Sequence, residues 1–363
     1  MFYFYIIMIH LNILIPNGPS QFDRARIFVA SSVEPMHQQV VQKALAAIGH
    51  SGSLEVKIKP LSGGRSGDPL YHLFLGSDEY VLRIVRHNVK AFAASTQFAS
   101  DHGFGPKLIY TDSDSNALLM EFIRGVPLRM EHLENPEMIQ QFADHLKTIH
   151  QNSQWLPPFD QFDKIHSGLK TNQKHYSDLN LDEISQKVEE IERLIAQCHF
   201  SQSPCHNDLH PGNLFYDVDG NIKIIDWGDT GLGDPLFDLA RISIEFQFDA
   251  EQTTLFLHRY FERPPEDLEK AHFYLMQQVI IVQTGFALLD QKGPIHELVA
   301  RNLDRAAKKE MLIIPADSNF EFPIDSKEAA RWIFDTFLEN TRSDTFALAV
   351  MRIQCVHVSR EPK

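Results

Sequence analysis

An aspartate, an asparagine and a second aspartate stand in this chain at the spacing that phosphoryl transfer uses. The sequence reads His206-Asn207-Asp208-Leu209-His210-Pro211-Gly212-Asn213, and Ile225-Asp226-Trp227 follows it. In such a pattern the carboxylate of Asp208 orients a substrate hydroxyl, and the amide oxygen of Asn213 binds a metal ion. Asp226, at a strand end, supplies the second ligand. Mg²⁺ takes few protein oxygens beside nucleotide phosphates, so one carboxylate and one amide suffice.

A predicted hairpin brings these ligands together. Two short apolar runs, 214–216 and 222–225, read as strands on either side of an Asp- and Gly-containing tight turn. Such a hairpin puts Asn213 nearly opposite Ile224, and Asp226 then lies one or two residues away across the ladder. The two metal ligands are therefore expected to converge from one hairpin.

Length and composition set the broad class of the protein. The chain has 363 residues, which allows two domains or two large lobes, and its 43% hydrophobic and 23% charged residues are typical of a globular protein. The net charge of −14 argues against a nucleic-acid-binding surface and favours cationic small substrates. Plain solubility in a reducing cytosol explains the charge equally well. We therefore expect a cytoplasmic protein.

The first residues and the cysteines leave alternatives open. Residues 1–16 are apolar but too short to span a bilayer, and they lack the basic region and cleavage site of a signal peptide. A packed strand, a membrane-touching tip or a wrongly chosen start codon, with Met36 as the true start, would each explain them. Because no other run is long enough, we expect no integral membrane segment. The cysteines show no metal spacing, and Cys205 beside His206 is either a nucleophile or, more simply, a small buried residue.

A small antiparallel sheet is predicted before the site. The pattern indicates a helix at 35–48 and strands at 54–59, 70–75 and 80–85. A glycine-rich turn joins the first two strands. Its backbone N–H groups can lie over nucleotide phosphates without side-chain obstruction, although a plain hairpin reads the same way. The candidate phosphate-binding residues of this turn are Ser62, Gly63 and Gly64.

Arg83 is the more informative residue of this region. It stands in the middle of a strand between apolar neighbours, where a cation either points to solvent or reaches a phosphate. A kinase keeps its phosphate-binding cation one strand after the glycine loop.

A later strand at 117–123 runs into a glycine-containing connector, which predicts a hinge between lobes. There the backbone groups of Glu121 and Ile123 would bond an adenine edge.

The remaining elements are mostly helical. A helix at 88–102 and a strand at 105–110 come before the hinge. The polar, irregular stretch 157–177 is the candidate for a mobile substrate loop. Further helices are predicted at 138–150, 181–198, 236–247, 251–262, 266–289, 294–312 and 326–355.

These motifs resemble those of the aminoglycoside phosphotransferase and choline kinase family, small-molecule kinases with a protein-kinase-like fold. The resemblance covers roughly residues 54–290 and rests on the His206–Asn213 motif, on Ile225-Asp226-Trp227-Gly228-Asp229 and on Gly233-Asp234-Pro235-Leu236-Phe237-Asp238-Leu239-Ala240. It implies an α+β, two-lobed fold with a small antiparallel N-lobe sheet and a mainly helical C-lobe. The implied divisions are an N-terminal extension and helix (1–49), a nucleotide-binding N-lobe (50–123) and a helical C-lobe with the catalytic loop and acceptor site (124–363).

The resemblance also implies a role for each motif residue. Asp208 would be the catalytic base, Asn213 and Asp226 would hold Mg²⁺, and Arg83 would contact the phosphates of ATP. Asp238 and, likewise, His206 would brace the catalytic loop.

The implied activity is transfer of the γ-phosphate of ATP to a hydroxyl of a small, cationic molecule such as an aminoglycoside, choline or a related amino alcohol. An atypical protein kinase and a degenerate, nucleotide-binding pseudokinase are the alternatives.

Two residues depart from the family pattern. Asn207 stands where a glycine is usual. No Asp or Glu lies between Arg83 and Asp101, where the family commonly has a glutamate that pairs with the strand cation. This leaves Gln97 or the nucleotide itself to hold Arg83.

Overall fold

A five-stranded antiparallel sheet forms the first part of the fold, in the order β1-β2-β3-β5-β4. The computed structural model describes residues 33–50, 56–61, 67–86, 89–152, 156–198, 200–290 and 326–360. The strands are β1 (Val56–Pro60), β2 (Leu70–Leu75), β3 (Asp78–Ile84), β4 (Leu108–Asp112) and β5 (Ala117–Glu121).

The two faces of this sheet differ because side chains alternate along each strand. One face is apolar and packs against helix α1 (Gln38–Ala47). The other face carries Arg83, and helix α2 (Val89–Asp101) covers part of it through Phe92, which packs near Leu118 of β5. The apolar face therefore anchors the sheet and leaves the Arg83 face toward the rest of the molecule. Residues of the anchored cluster include Val41, Leu45, Ile58, Leu73, Leu82 and Leu119.

Helices and short strands build the remainder. The short strands form two small sheets, β6-β8-β9 and β7-β10, which hold the segment that carries the motif residues. Their bounds are β6 (Gly125–Pro127), β7 (Ser203–Cys205), β8 (Leu214–Asp217), β9 (Ile222–Ile224) and β10 (Gly231–Gly233). The helices are α3 (Pro136–His150), α4 (Asp163–Asn172), α5 (Leu181–Gln197), α6 (Pro235–Glu245), α7 (Ala250–Phe261), α8 (Asp267–Leu289), α9 (Ser326–Thr341) and α10 (Asp344–Arg360).

Helix α8 is the centre of the helical core. It packs against α4, α5, α6, α9 and α10. Among the described residues it is the one helix whose length and composition would allow it to cross a membrane, but 78% of its apolar window is buried inside the structure. The core that α8 fills accounts for its apolar sequence.

The sequence predictions of the elements are largely confirmed, and two of them are wrong. The stretch 157–177 was expected to be irregular, yet it contains α4, whose buried face is Ile165, Gly168, Leu169 and Asn172. The single helix expected at 326–355 is two helices, α9 and α10, because Ser343 accepts the N–H of Phe346 and starts a new helix there. The predicted helix 294–312, the stretch 1–16 and the glycine-turn residues Ser62, Gly63 and Gly64 lie outside the described residues.

Candidate active site

The hairpin of β8 and β9 brings the two predicted metal ligands together. Leu214 pairs with Ile224, and the N–H of Ile225 donates to the carbonyl oxygen of Asn213 at 2.9 Å. Asn213 therefore lies opposite Ile225, one residue further along than the sequence predicted. Asp226 follows directly, with a φ of 62° that turns the chain out of the strand.

Asp208 and Asn213 contact each other across the same loop. The amide nitrogen of Asn213 donates to the main-chain oxygen of Asp208 at 2.9 Å and to its Oδ2 at 3.2 Å. These bonds fix the amide plane and direct its oxygen away from Asp208. One amide oxygen and the carboxylate of Asp226 are a donor set that fits Mg²⁺, which prefers oxygen ligands and keeps room for phosphates. Asn213 and Asp226 are the residues that would hold it.

His206 connects the catalytic segment to the end of β9. Its Nε2 donates to the carbonyl oxygen of Ile225 at 3.0 Å, since a carbonyl can only accept, and its Nδ1 accepts the N–H of Asp208 at 3.3 Å. The ring is fully buried. One neutral tautomer therefore places Asp208 relative to the residue that precedes Asp226.

Asn207 takes the backbone conformation that explains the glycine usual at its position. Its φ is 66°, in the left-handed region that asparagine tolerates better than most residues. Its amide nitrogen donates to the carbonyl oxygens of Cys205 and Asp229, at 3.2 and 3.0 Å. The asparagine therefore adds a bond between the catalytic segment and the segment after Asp226.

A buried network stands behind the catalytic segment. Asp238 is fully buried and accepts the N–H groups of His206 and Asn207, at 2.7 and 2.8 Å. His150 Nε2 lies 3.2 Å from the same carboxylate, and His150 Nδ1 lies 2.7 Å from the hydroxyl of Tyr260. Burial raises the pKa of Tyr260, which keeps this hydroxyl a donor. Asp238 thus braces two consecutive residues of the loop, as expected.

Cys205 belongs to this buried layer. Burial raises the pKa of the Cys205 thiol well above its ordinary value, and its Sγ donates to the carbonyl oxygen of Ser203. Its sulfur also lies near His150 and Asp238, whose polar atoms are already used in hydrogen bonds. Because its thiol is neutral and inaccessible, Cys205 is the small buried residue of the simpler prediction and not a nucleophile.

Arg83 reaches the site from the sheet, and carboxylates bind both of its edges. Its Nη1 lies 2.6 Å from Oδ1 of Asp226. Its other edge binds Asp68, and its guanidinium carbon lies 4.5 Å from the ring centroid of Phe92. The expectation that Gln97 holds Arg83 is wrong, because the amide of Gln97 donates to Asp101 on its own helix.

The predicted hinge follows β5. The N–H of Glu121 donates to the carbonyl oxygen of Lys107, so Glu121 would offer a base edge its carbonyl oxygen. The N–H of Phe122 donates to the main-chain oxygen of Glu79. Ile123, the second residue predicted to bond the base edge, follows Phe122 directly. The ring of Phe122 stacks on His72 of β2, with centroids 4.0 Å apart. His72 lies on the Arg83 face of the sheet, since it pairs with Val81, two residues before Arg83.

Positive groups surround Asp208. Burial raises the pKa of its carboxyl, but the neighbouring basic side chains of His210, Lys164, Arg241 and His206 outweigh burial and hold the pKa below its ordinary value. His210 is the nearest of them, with Nε2 3.6 Å from Oδ2 of Asp208. Its Nδ1 accepts the N–H of Gly212, so Nε2 carries the proton. Asp208 is therefore ionised at neutral pH, as an aligning carboxylate must be.

Four contributors to the site were not assigned roles from the sequence. Asp68, His150 and Tyr260 act through partners that lie 15, 88 and 110 positions away along the chain, which local pattern does not reveal. His210 had the clearest signal, because it stands two residues after Asp208 in the motif.

The chain is similar in sequence to known phosphotransferases. A sequence model of the phosphotransferase enzyme family (APH) matches residues 57–274. Ethanolamine kinase 2 of Rattus norvegicus is 34% identical over 168 residues, which are 41% of this chain and 41% of that protein. The chain thus matches less than half the length of that relative.

Solved structures share the fold. A choline/ethanolamine kinase family protein from Mesorhizobium loti superposes with a TM-score of 0.63 at 18% identity, covering 88% of this chain and all of that one (100%). The choline kinase LicA from Streptococcus pneumoniae superposes with a TM-score of 0.58 at 20% identity, covering 75% of this chain and 98% of that one. The expected α+β, kinase-like fold is confirmed.

Proposed function

The chain belongs to the phosphotransferase enzyme family, and we propose that it transfers the γ-phosphoryl group of ATP to a hydroxyl of a small molecule. One observation carries this proposal: the β8–β9 hairpin joins two contacting pairs, Asp208 with Asn213 and Asp226 with Arg83. Asn213 contacts Asp208 at 3.2 Å, and Arg83 contacts Asp226 at 2.6 Å. An aligning base, two metal ligands and a phosphate-binding cation are the parts that phosphoryl transfer requires.

The chemistry follows from these positions. The ionised carboxylate of Asp208 accepts a hydrogen bond from the acceptor hydroxyl and takes its proton as the oxygen bonds to the γ-phosphorus. The bond from that phosphorus to the leaving ADP oxygen breaks in line. Mg²⁺ held by Asn213 and Asp226 would neutralise charge on the β- and γ-phosphates. Arg83 adds a fixed positive charge on the sheet side.

The acceptor we propose is a small amino alcohol. The relative from Rattus norvegicus is an ethanolamine kinase and the structural neighbour from Streptococcus pneumoniae is a choline kinase. A candidate recognition group for an ammonium is Asp229, whose side chain is 47% exposed and whose main-chain oxygen binds Asn207, next to Asp208. In this state Asp229 pairs with Lys164 at 3.0 Å. A cationic acceptor would replace Lys164 on that carboxylate.

The same ion pair favours a second acceptor class. Lys164 is 50% exposed, and its charge, with that of Arg241, lowers the pKa of Asp208. A hydroxyl compound with an anionic group would bind Lys164 and release Asp229. An acceptor that binds Asp229 would be cationic, and one that binds Lys164 would be anionic.

A protein acceptor is the weaker alternative. Eleven residues lie between Asp226 and Asp238, and they form a short 3-10 turn at Trp227–Asp229, strand β10 and the start of α6. This leaves no room for an activation loop between the metal ligand and the brace.

A nucleotide-consumption assay with Mg²⁺ tests the proposal. The acceptor panel contains ethanolamine, choline, aminoglycosides, sugars, hydroxy acids and a generic protein substrate. Asp208→Asn should retain ADP binding and lose turnover by roughly 10³-fold. Asp219→Asn, an exposed carboxylate in the turn of the same hairpin, is the matched control and should behave as the wild type.

Two further variants decide the acceptor class. For a cationic acceptor, Asp229→Asn should raise KM while Lys164→Met should not. For an anionic acceptor, Lys164→Met should raise KM while Asp229→Asn should not. Clear ADP binding without turnover on any acceptor would contradict the kinase proposal and favour a nucleotide-binding pseudokinase.

A further inference from the structure

The strand cation Arg83 has a carboxylate partner from outside helix α2. Asp68 stands directly after the glycine-rich stretch, just before β2. Arg83 Nε donates to Oδ2 of Asp68 at 3.0 Å, and Nη2 lies 2.9 Å from the same oxygen. Each side chain is only 8% exposed. Solvent therefore screens this ion pair much less than a surface pair.

Helix α2 offers Arg83 a ring in place of a charge. Phe92 lies beneath the guanidinium, with its centroid 4.5 Å from the guanidinium carbon. The same ring packs against Gly228, where a Cβ would come within 3.2 Å of it. Phe92 thus fills the space between α2 and the segment after Asp226. The sequence of α2 holds no acidic residue before Asp101.

Asp68 also binds the end of the strand that carries Arg83. Its Oδ1 lies 3.3 Å from the main-chain nitrogen of Arg86, which donates to it. The carboxylate of Asp68 therefore binds both the side chain of Arg83 and the main chain of Arg86. With Nε and Nη2 held by Asp68, Nη1 is directed at Asp226, 2.6 Å away. The guanidinium has one orientation because both of its edges are bound.

We propose that Asp68 is the positioning residue for Arg83 and holds its guanidinium beside Asp226, where the phosphates of the nucleotide would bind. It does the work that the family resemblance assigns to a helix glutamate. The inference rests on the proposed function only in that the site must take a nucleotide. The orientation of the cation therefore rests on a carboxylate just before β2 and on the ring of Phe92, and it needs no acidic residue of α2.

Calorimetric binding of ADP and of adenosine, with no acceptor present, tests the proposal. Asp68→Asn keeps the size of the side chain and removes its charge. We expect ADP to bind roughly tenfold more weakly, because a charge-assisted hydrogen bond orienting the cation is lost. Adenosine has no phosphates and should bind as to the wild type. Equal weakening of both ligands, or no weakening of ADP, would overturn the proposal.

Asp112→Asn is the matched control for stability. Asp112 is a buried carboxylate of the same sheet, 7% exposed, and pairs with Lys43 at 3.1 Å. Its loss should lower the melting temperature and leave the ratio of ADP to adenosine affinity unchanged. A change in that ratio as large as for Asp68→Asn would show a general effect of sheet stability and would overturn the positioning role.

A double-mutant cycle shows whether Asp68 acts through Arg83. If it does, Asp68→Asn should add little to the loss of ADP affinity already caused by Arg83→Met. Additive losses would mean an independent role for Asp68 and would overturn the proposal. The proposed kinase function fails separately: ADP binding with this pattern but no turnover refutes the function alone. A wild-type protein that binds no ADP refutes both.

Discussion

Arg83 Nη1 lies 2.6 Å from Oδ1 of Asp226, a contact between residues 143 positions apart in the sequence. It joins the five-stranded sheet to the segment that carries a proposed metal ligand. Arginine suits this position because its planar fork binds two carboxylates at once, here Asp226 on one edge and Asp68 on the other. A lysine ammonium at the same place is a single point charge.

Replacing Arg83 with lysine should therefore weaken nucleotide binding although the charge is kept. We expect ADP affinity to fall by about tenfold in Arg83→Lys and further in Arg83→Met. Isothermal calorimetry without acceptor measures this directly. Arg259→Lys is the matched control, since Arg259 binds Asp144 through two nitrogens at 2.7 Å in an exposed ion pair that includes no residue of the site. Wild-type ADP affinity in Arg83→Lys would contradict the fork argument.

The β8–β9 hairpin could be predicted from the sequence because its contacts are local. Asn213 and Asp226 belong to one hairpin, and the strand patterns around the turn placed them within one residue of their observed register. Asp68 was not readable. It follows a glycine-rich stretch like many turn aspartates, and only the folded sheet shows that it meets Arg83. The missing helix glutamate signalled that a partner was needed but not where it came from.

The two wrong element predictions have local causes. Gly168 and the many polar residues of 163–172 lower helix propensity, so packing against α8, and not propensity, makes this segment helical. The break between α9 and α10 had a signal in Ser343, a favoured N-cap residue whose hydroxyl accepts the N–H of Phe346. Apolar periodicity runs through the break and hides it.

The buried network around Asp238 should affect the rate and not nucleotide binding. Asp238 accepts the N–H groups of His206 and Asn207, and an amide in its place would present one acceptor oxygen instead of two. We expect Asp238→Asn to lower kcat by on the order of 100-fold, because Asp208 is displaced from its alignment. Tyr260→Phe, which removes only the hydroxyl on His150, should have a smaller effect.

Steady-state kinetics beside ADP calorimetry measures this split. Folded protein is established by circular dichroism before either assay. If ADP affinity falls in proportion to kcat in Asp238→Asn, the network supports the whole site and not the catalytic segment in particular.

His145 should make stability depend on pH in the mildly acidic range. Burial lowers the pKa of His145 to about 4 from 6.5, with Lys223 lowering it and Asp144 raising it. The unfolded chain therefore binds a proton that the folded chain does not, and stability falls as pH drops from 6.5 toward 4. The loss approaches about 3 kcal/mol of unfolding free energy as an upper bound.

Urea unfolding at a series of pH values measures this loss. His145→Gln has no proton to gain and should show a flatter dependence between pH 6.5 and 4. His258→Gln, on the exposed face of α7, is the control and should keep the wild-type slope. Parallel curves for the wild type and His145→Gln would contradict the assignment.

Gly168 lies where α4 meets α8, and two opposing effects decide the outcome of Gly168→Ala. Alanine is favoured over glycine inside a helix by about 1 kcal/mol. Against this, a Cβ at Gly168 would come within 2.5 Å of the ring of Phe286. Overpacking of this kind costs roughly 1–3 kcal/mol, so we expect Gly168→Ala to lower the unfolding free energy on balance. Denaturant unfolding of Gly168→Ala measures it. Adding Phe286→Leu should turn alanine at 168 from destabilising to stabilising relative to glycine in that background, because the ring is gone while the gain in helix propensity remains. A stabilising Gly168→Ala in the wild-type background would mean that α4 does not pack on Phe286.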